Sequence, residues 1–163
     1  MARNSSTSRN EPGARLATHD DIPGIMRLVA DYWSFEGIGG FEADTLSAQL
    51  DHLLSNRRLG DVWVVAEPDA LLGYLVAVYV FSLEHKGLVA EIDEFYVVPT
   101  GRGRGVGHAL LAAAEARFLE LRCTNVSLQL GRDNDSARRF YHGHGYRDRA
   151  GFELLDKMLT NSD

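Results

Sequence analysis

Cysteine and long apolar runs are both scarce in this chain, and each scarcity excludes something. The lone Cys123 has no partner for an internal disulfide, which fits a reducing compartment and predicts a cytoplasmic protein. Asp, Glu, Arg or Gly interrupts every apolar run before it could span a bilayer, so no membrane partner is expected. The first residues, Met1 to Gly13, are polar and rich in Ser, Asn and Arg. They have no apolar segment of the kind a secretory signal needs, and Ala2 excludes a myristoylation start, so residues 1–13 are expected to be a disordered leader. Positive charge is also short: 17 Lys and Arg stand against 23 Asp and Glu, a net charge of −6. That balance argues against nucleic acid as a partner.

What remains is the composition of a soluble globular chain. Of its 163 residues 45% are apolar and 25% charged, enough to bury one core and too few for two ordinary ones. A single domain over residues 14–163 is expected. Its charge is unevenly spread. Residues 1–100 hold seven basic residues against fifteen acidic ones, whereas residues 101–149 hold nine arginines against five acids. A basic stretch inside an acidic protein suits either an anionic ligand or a solvated face.

Local patterns supply an order of elements. Arg15 to Ala17 reads as a short strand, and Thr18-His19-Asp20-Asp21 as a capping box. Ile22, Ile25, Met26, Val29 and Trp33 recur at helical spacing, so a first helix is expected to about Trp33, followed by an aromatic-flanked glycine loop to Phe41. Leu46, Leu50, Leu53 and Leu54 mark a second helix over 43–56. Val62 to Val65, Leu71 to Val80 and Leu88 to Val98 are strand-like, with turns at Pro68-Asp69 and at Glu84 to Gly87. Leu110, Leu111, Ala114, Phe118 and Leu121 stripe another helix, and Val126, Leu128 and Leu130 alternate as a strand. Asp133 or Asn134 can cap a short helix through Tyr141, and Phe152 to Leu159 is expected as a last strand. The predicted class is α/β (α+β): a mixed, mostly antiparallel central sheet flanked by helices, in the order β-α-α-β-β-β-α-β-α-β.

Between the third long strand and its following helix lies Gly101-Arg102-Gly103-Arg104-Gly105-Val106-Gly107. Strand, glycine turn and helix start in succession expose convergent N–H groups to an anion, with the helix dipole adding positive potential. It is not a mononucleotide loop, because His108 and Ala109 stand where Lys and Ser or Thr are required. Nor is it a dinucleotide fingerprint. Counted from Gly101 the last glycine position is Val106, and counted from Gly103 it is His108.

What fits is Arg102-x-x-Gly105-x-Gly107, and with it Asn134-Asp135-Ser136-Ala137-Arg138-Arg139-Phe140-Tyr141 followed by Gly145-Tyr146. In these two stretches, correctly ordered and separated by a helix and a strand, the chain resembles the GNAT family of N-acetyltransferases. The resemblance implies a direct transfer of an acetyl group from acetyl-CoA to a primary amine, without a metal. It implies that the diphosphate lies on amides between Arg102 and Gly107, so that Arg102, Gly103, Arg104, Gly105, Val106, Gly107 and His108 bind the coenzyme. Tyr96, Val97 and Val98 would receive its pantetheine arm where the strand splays, with a main-chain N–H near Val97 polarising the thioester carbonyl. Asn134 and Tyr141 complete the coenzyme set, Arg138 or Arg139 is either a phosphate contact or solvated, and Tyr141 falls at the general-acid position.

The base is left open among Glu91, Asp93 and Glu94, ranked with Glu94 and Asp93 first. Alternation places Glu91 and Asp93 on one face and Glu94 on the other, unless a bulge intervenes. Trp33 and Phe35, with Tyr32, either line the acceptor groove or belong to the core. The acidic bias of residues 1–100 suits either a small-molecule cationic amine as acceptor or simply a solvated acidic surface. His142 and His144 have no further ligands at metal-binding spacing. A homodimer is implied by the family resemblance, and a non-catalytic acyl-CoA-binding module is the rival reading.

Overall fold

The computed structural model describes residues 13–159, which fall into two compact units, one ending at Gln129 and the other starting at Leu130. Of the expected leader only Gly13 lies within the described residues.

The first unit is built on a five-stranded sheet in the order β1-β2-β3-β4-β5: β1 Ala14–Leu16, β2 Gly60–Glu67, β3 Ala70–Ser82, β4 Gly87–Val97 and β5 Asn125–Leu128. Its first four strands are antiparallel neighbours, and β5 runs parallel to β4. A parallel neighbour needs a crossover, and helix α3, Val106–Glu120, provides it.

Helices α1, Ile22–Glu36, and α2, Ala43–Ser55, cover one face of the sheet. Ile25, Leu28, Val29, Leu50 and Leu54 from these helices pack on Val62, Val64, Tyr74, Val76 and Tyr96. The alternate residues of the same strands face α3, where Trp63 meets Phe118 edge-on with ring centroids 5.7 Å apart. Alternation along β2 and β3 therefore builds two cores from one sheet, because successive side chains leave opposite faces.

Entry to α1 follows the expected capping residues. A 3-10 turn, His19–Asp21, precedes the helix, and Asp21 accepts a hydrogen bond from the Thr18 N–H at 2.8 Å. Arg15 grips the same carboxylate with two bonds of 2.7 Å. The helix outlasts its expected end by a turn, stopping at Gly37 in the left-handed region at φ 72°. Phe35 thus stands on a helix rather than in the glycine loop.

The second unit contains α4, Asp135–Gly143, capped by Asn134, whose side-chain oxygen accepts from the Ala137 N–H at 3.1 Å. The helix continues through Gly143. The expected last strand, Phe152 to Leu159, does not form: these residues are irregular, and Phe152, Leu154, Leu155, Met158 and Leu159 are exposed. The segment repeats apolar residues as adjacent pairs at 154–155 and 158–159 rather than alternately, so neither strand face could be consistently apolar.

Candidate active site

The third long strand decides the geometry. Along β4, Ile92 stands opposite Ala77 and Glu94 opposite Val76, so Asp93 is an extra residue with no partner on β3. Such a bulge reverses the facing of everything beyond it. Glu94 therefore joins the α1 face, with Tyr74 and Tyr96, while Ile92 keeps the α3 face. Glu91, opposite Val78, shares the α1 face with Glu94. The pairing expected from simple alternation, Glu91 with Asp93 and Glu94 opposite, is overturned by the unpaired Asp93.

Glu94 is half-buried and held at both oxygens. The Trp33 indole N–H donates to Oε1 at 2.6 Å, and the fully buried Tyr74 hydroxyl donates to Oε2 at 2.7 Å. Two such donors fix the carboxylate's orientation and leave each oxygen a further lone pair. Burial, together with the charge of Glu94, pushes the Tyr74 phenol far above its ordinary range, so it remains a donor. Tyr32 packs on Tyr96, ring centroids 5.8 Å apart, and is pushed up to about 12 by burial and then by Glu36, Glu94 and Asp93. Asp93 is exposed at the surface, yet partial desolvation, and Glu91's charge after it, raises its carboxyl above the ordinary value.

Beyond Ile92 opposite Leu128, β5 ends while β4 continues to Val97 beside β3 alone, so the strands part among the described residues. Val98 donates its N–H to Leu72 at 3.0 Å. Consecutive amides point to opposite strand edges, which turns those of Val97 and Phe95 toward the open side. The N–H of Val98 is thus committed to the sheet, and that of Val97 lies at the open edge.

Past a 3-10 turn at Pro99–Gly101, the chain turns left-handed at Gly103, φ 70°, and at Gly105, φ 84°. Alternating left- and right-handed residues aim successive N–H groups toward one side, a concave anion seat. The first bond of α3 runs from Ala109 N–H to Gly105 carbonyl, so the amides of Val106 and Gly107 precede the intrahelical ladder. The loop's two arginines are each tied back to the protein. Arg104 binds Glu67 at 2.6 Å, and Arg102 donates through Nε to the Val97 carbonyl at 3.1 Å.

The structure thus brings Trp33, Glu94 and Tyr96 together around one end of the first unit, with Phe35 reached through Arg102, whose guanidinium lies 5.8 Å from the Phe35 ring and 5.9 Å from the Tyr96 ring. Phe41 meets Trp33 edge-on at 6.0 Å. Tyr74 is the participant that sequence reasoning missed. Its only signal is that it is one of two phenols in a mostly apolar strand, each of which must find a partner when buried.

In the second unit Tyr141 is buried between Phe140 and Tyr146, with ring centroids at 5.4 Å and 5.3 Å. Arg138 pairs with Asp148 at 2.6 Å, and His142 approaches the same carboxylate at 3.3 Å. Among the described residues no group of three or more His, Cys, Asp or Glu is placed to hold a metal ion, and no helix is long and apolar enough to cross a membrane.

Known proteins resemble this chain in sequence and fold. The family model described as "Acetyltransferase (GNAT) family" matches residues 23–146. An uncharacterized N-acetyltransferase of Archaeoglobus fulgidus is 32% identical over 136 residues, covering 82% of this chain and 91% of its own. The aminoalkylphosphonate N-acetyltransferase of Salmonella typhimurium is 31% identical over 142 residues, covering 82% and 83%. Among solved structures, an integron cassette protein from the mobile metagenome of Cole Harbour Salt Marsh superposes with a TM-score of 0.78 at 27% identity, covering 91% of each chain. The chain belongs to the GNAT acetyltransferase family and is an acyl-CoA-dependent N-acyltransferase.

Proposed function

We propose that this N-acyltransferase moves an acetyl group from acetyl-CoA directly to the primary amine of a small cationic acceptor, with residues 14–163 acting as one catalytic domain. The observation that carries the reading is the end of β4. A carboxylate clamped by two donors, an unpaired strand edge and a glycine anion seat follow one another within fourteen residues, Glu94 to Gly107. The family match spans both units, which supports treating them as one domain.

The residues present fit the coenzyme. The left-handed glycines and the first amides of α3 suit its diphosphate, and a Cβ built on Gly103 would meet nothing within 4 Å, so the loop is approachable. The open edge at Val97 suits the amide-bearing arm, whose groups can pair as a strand's would. Bound there, acetyl-CoA supplies an acyl carbon activated by its thioester.

The chain's own groups do the rest. An N–H turned to the open edge of β4 donates to the oxygen on which charge develops. The attacking amine must be neutral, so a carboxylate takes its proton, directly or through water. Glu94 ranks first for that task, because Trp33 and Tyr74 fix its carboxylate; Asp93, with its raised affinity for a proton, is second. The phenol of Tyr141 gives a proton to the departing sulfur. The acidic first hundred residues favour a cationic acceptor, and the Salmonella relative is named for an amine. The lone Cys123 supports a cytoplasmic setting.

The test is an amine panel assayed by release of the free CoA thiol, run beside thermal shifts with CoA, acetyl-CoA, ATP and NAD. Stabilisation by CoA and its thioesters, with amine-dependent thiol release, is the expected result. Stabilisation by CoA without release for any amine would point to a binding module instead.

A further inference from the structure

Glu94 takes its two donors from elements of unequal firmness. Tyr74 is fully buried in β3, a strand paired on both sides. Trp33 stands in the last turn of α1, four residues before the left-handed Gly37 that ends the helix. From there the chain runs Ile38-Gly39-Gly40-Phe41, with Gly40 also left-handed at φ 79°. Ile38 donates its N–H to the Trp33 carbonyl at 2.8 Å, and the next main-chain bond is already that of α2, from the Leu46 N–H to the Glu42 carbonyl. Residues 39–41 make no hydrogen bond among the described residues. Their ring contact with α1 is that of Phe41, which meets the Trp33 indole edge-on, centroids 6.0 Å apart and planes at 83°.

Phe41 is 38% exposed and stands outside the cluster of the α1 face, which Trp33 borders. The outer torsion of a tryptophan is broad, so packing rather than intrinsic preference aims its N–H. An edge-on ring resists rotation of the ring it meets, because the favourable contact is lost as the planes turn. The 2.6 Å bond from the indole to Glu94 Oε1 needs one orientation of that indole. Phe41, Trp33 and Glu94 therefore form a chain of contacts from the α1–α2 connection to the carboxylate.

We infer that Phe41 is a positioning residue for the acyl transfer: it fixes the Trp33 indole, and the indole N–H aims the Glu94 carboxylate at the amine. The inference rests on Glu94 as the base of the proposed reaction and adds a residue acting one step removed from it. Other roles would leave other marks. A Phe41 that touched the acceptor would govern acceptor KM, and a ring that served stability alone would leave the indole where it is.

The chain has two tryptophans, Trp33 and Trp63, so its indole N–H resonances in an isotope-labelled sample number two. W33F assigns them, and Trp63, packed on Phe118 at the opposite face, is the internal control. E94Q marks where the Trp33 resonance goes when its charged acceptor becomes neutral. In the full chain, F41A should move the Trp33 resonance toward its E94Q position and leave that of Trp63 in place. With the best amine of the panel, F41A should lower kcat by about two- to tenfold, the range of one edge-on aromatic pair, with both KM values within about twofold. F41Y keeps the ring and should keep both the resonance and kcat near wild type. A Trp33 resonance unmoved in F41A overturns the inference, whatever happens to turnover. So does an F41A enzyme with kcat intact: a raised acceptor KM would make Phe41 an acceptor contact, and an unchanged one would make its hold on Trp33 idle. If E94Q turns over like wild type, or no amine is acetylated, the proposed base or transfer fails by itself, and the resonance alone decides whether Phe41 holds Trp33 on Glu94.

Discussion

Replacing Tyr74 with Phe removes one oxygen atom from the centre of this site and tests whether Glu94 is held as described. Tyr74 is fully buried, and its hydroxyl donates to Glu94 Oε2 at 2.7 Å. A hydrogen bond to a charged acceptor contributes about 1.5–3 kcal/mol, and an acceptor left without its donor forfeits most of that. Glu94 is only half-buried, so water recovers a share, and a net loss of about 1–2 kcal/mol is expected. For a chain of this size that corresponds to a melting point lower by roughly 2–8 °C. Urea unfolding of wild type, Y74F, E94Q and the double variant forms a thermodynamic cycle. Most of the Tyr74→Phe cost should disappear once Glu94 is already an amide, giving a coupling of about 1 kcal/mol. Turnover should show the same dependence, with E94Q lowering kcat by about 10²–10⁴-fold and Y74F adding little to it. Additive stability losses within about 0.3 kcal/mol would mean that the two side chains do not communicate, and the clamp would have to be abandoned.

Three further outcomes follow from separate features. Y141F should lower kcat by about a hundredfold or more while acetyl-CoA affinity, read by calorimetry, stays as it was; unaltered turnover removes the acid role from Tyr141. G105A places a side chain where φ is 84°, costing roughly 1–2 kcal/mol of stability, and also narrows the anion seat, so CoA affinity should fall by more than the fold does. Asp21 is held at about 2, first by its bonds from Arg15, below the ordinary 3.8. Because the folded value is the lower one, its contribution is complete above about pH 4 and vanishes as pH falls through about 2. D21N should cost about 1–2 kcal/mol at neutral pH, discounted because Arg15 is half exposed, and should flatten the stability profile across that window in urea titrations.

Several features of the site were legible before any coordinates because they are local. The loop from Arg102 to Gly107 announces itself by glycines that tolerate positive φ, and the cap at Asn134 by a side chain that reaches its own helix. The strand carrying three carboxylates could be located in the same way. Its facing could not, since one unpaired residue, Asp93, reverses the pleat, and nothing in Glu91-Ile92-Asp93-Glu94 says where the register will slip. Tyr74 stayed hidden for a related reason: its hydroxyl finds its partner twenty residues away, across a hairpin. The direction of the Arg102 side chain was not legible either, because it depends on a carbonyl and two aromatic rings brought to it by the fold. The segment 152–159 was misjudged because apolar content was read without strict alternation.

By itself the sequence determined the order of the elements as far as α4, the glycine-rich turn before α3 and the family, all of which follow from short-range patterns of backbone freedom and hydrophobic period. Tertiary structure alone decided which carboxylate Trp33 and Tyr74 would clamp, where β4 parts from β5, and which way the arginine of the loop would point. Those outcomes depend on strand register and on contacts between residues far apart in the chain, and a one-residue slip in a pleated strand exchanges its two faces.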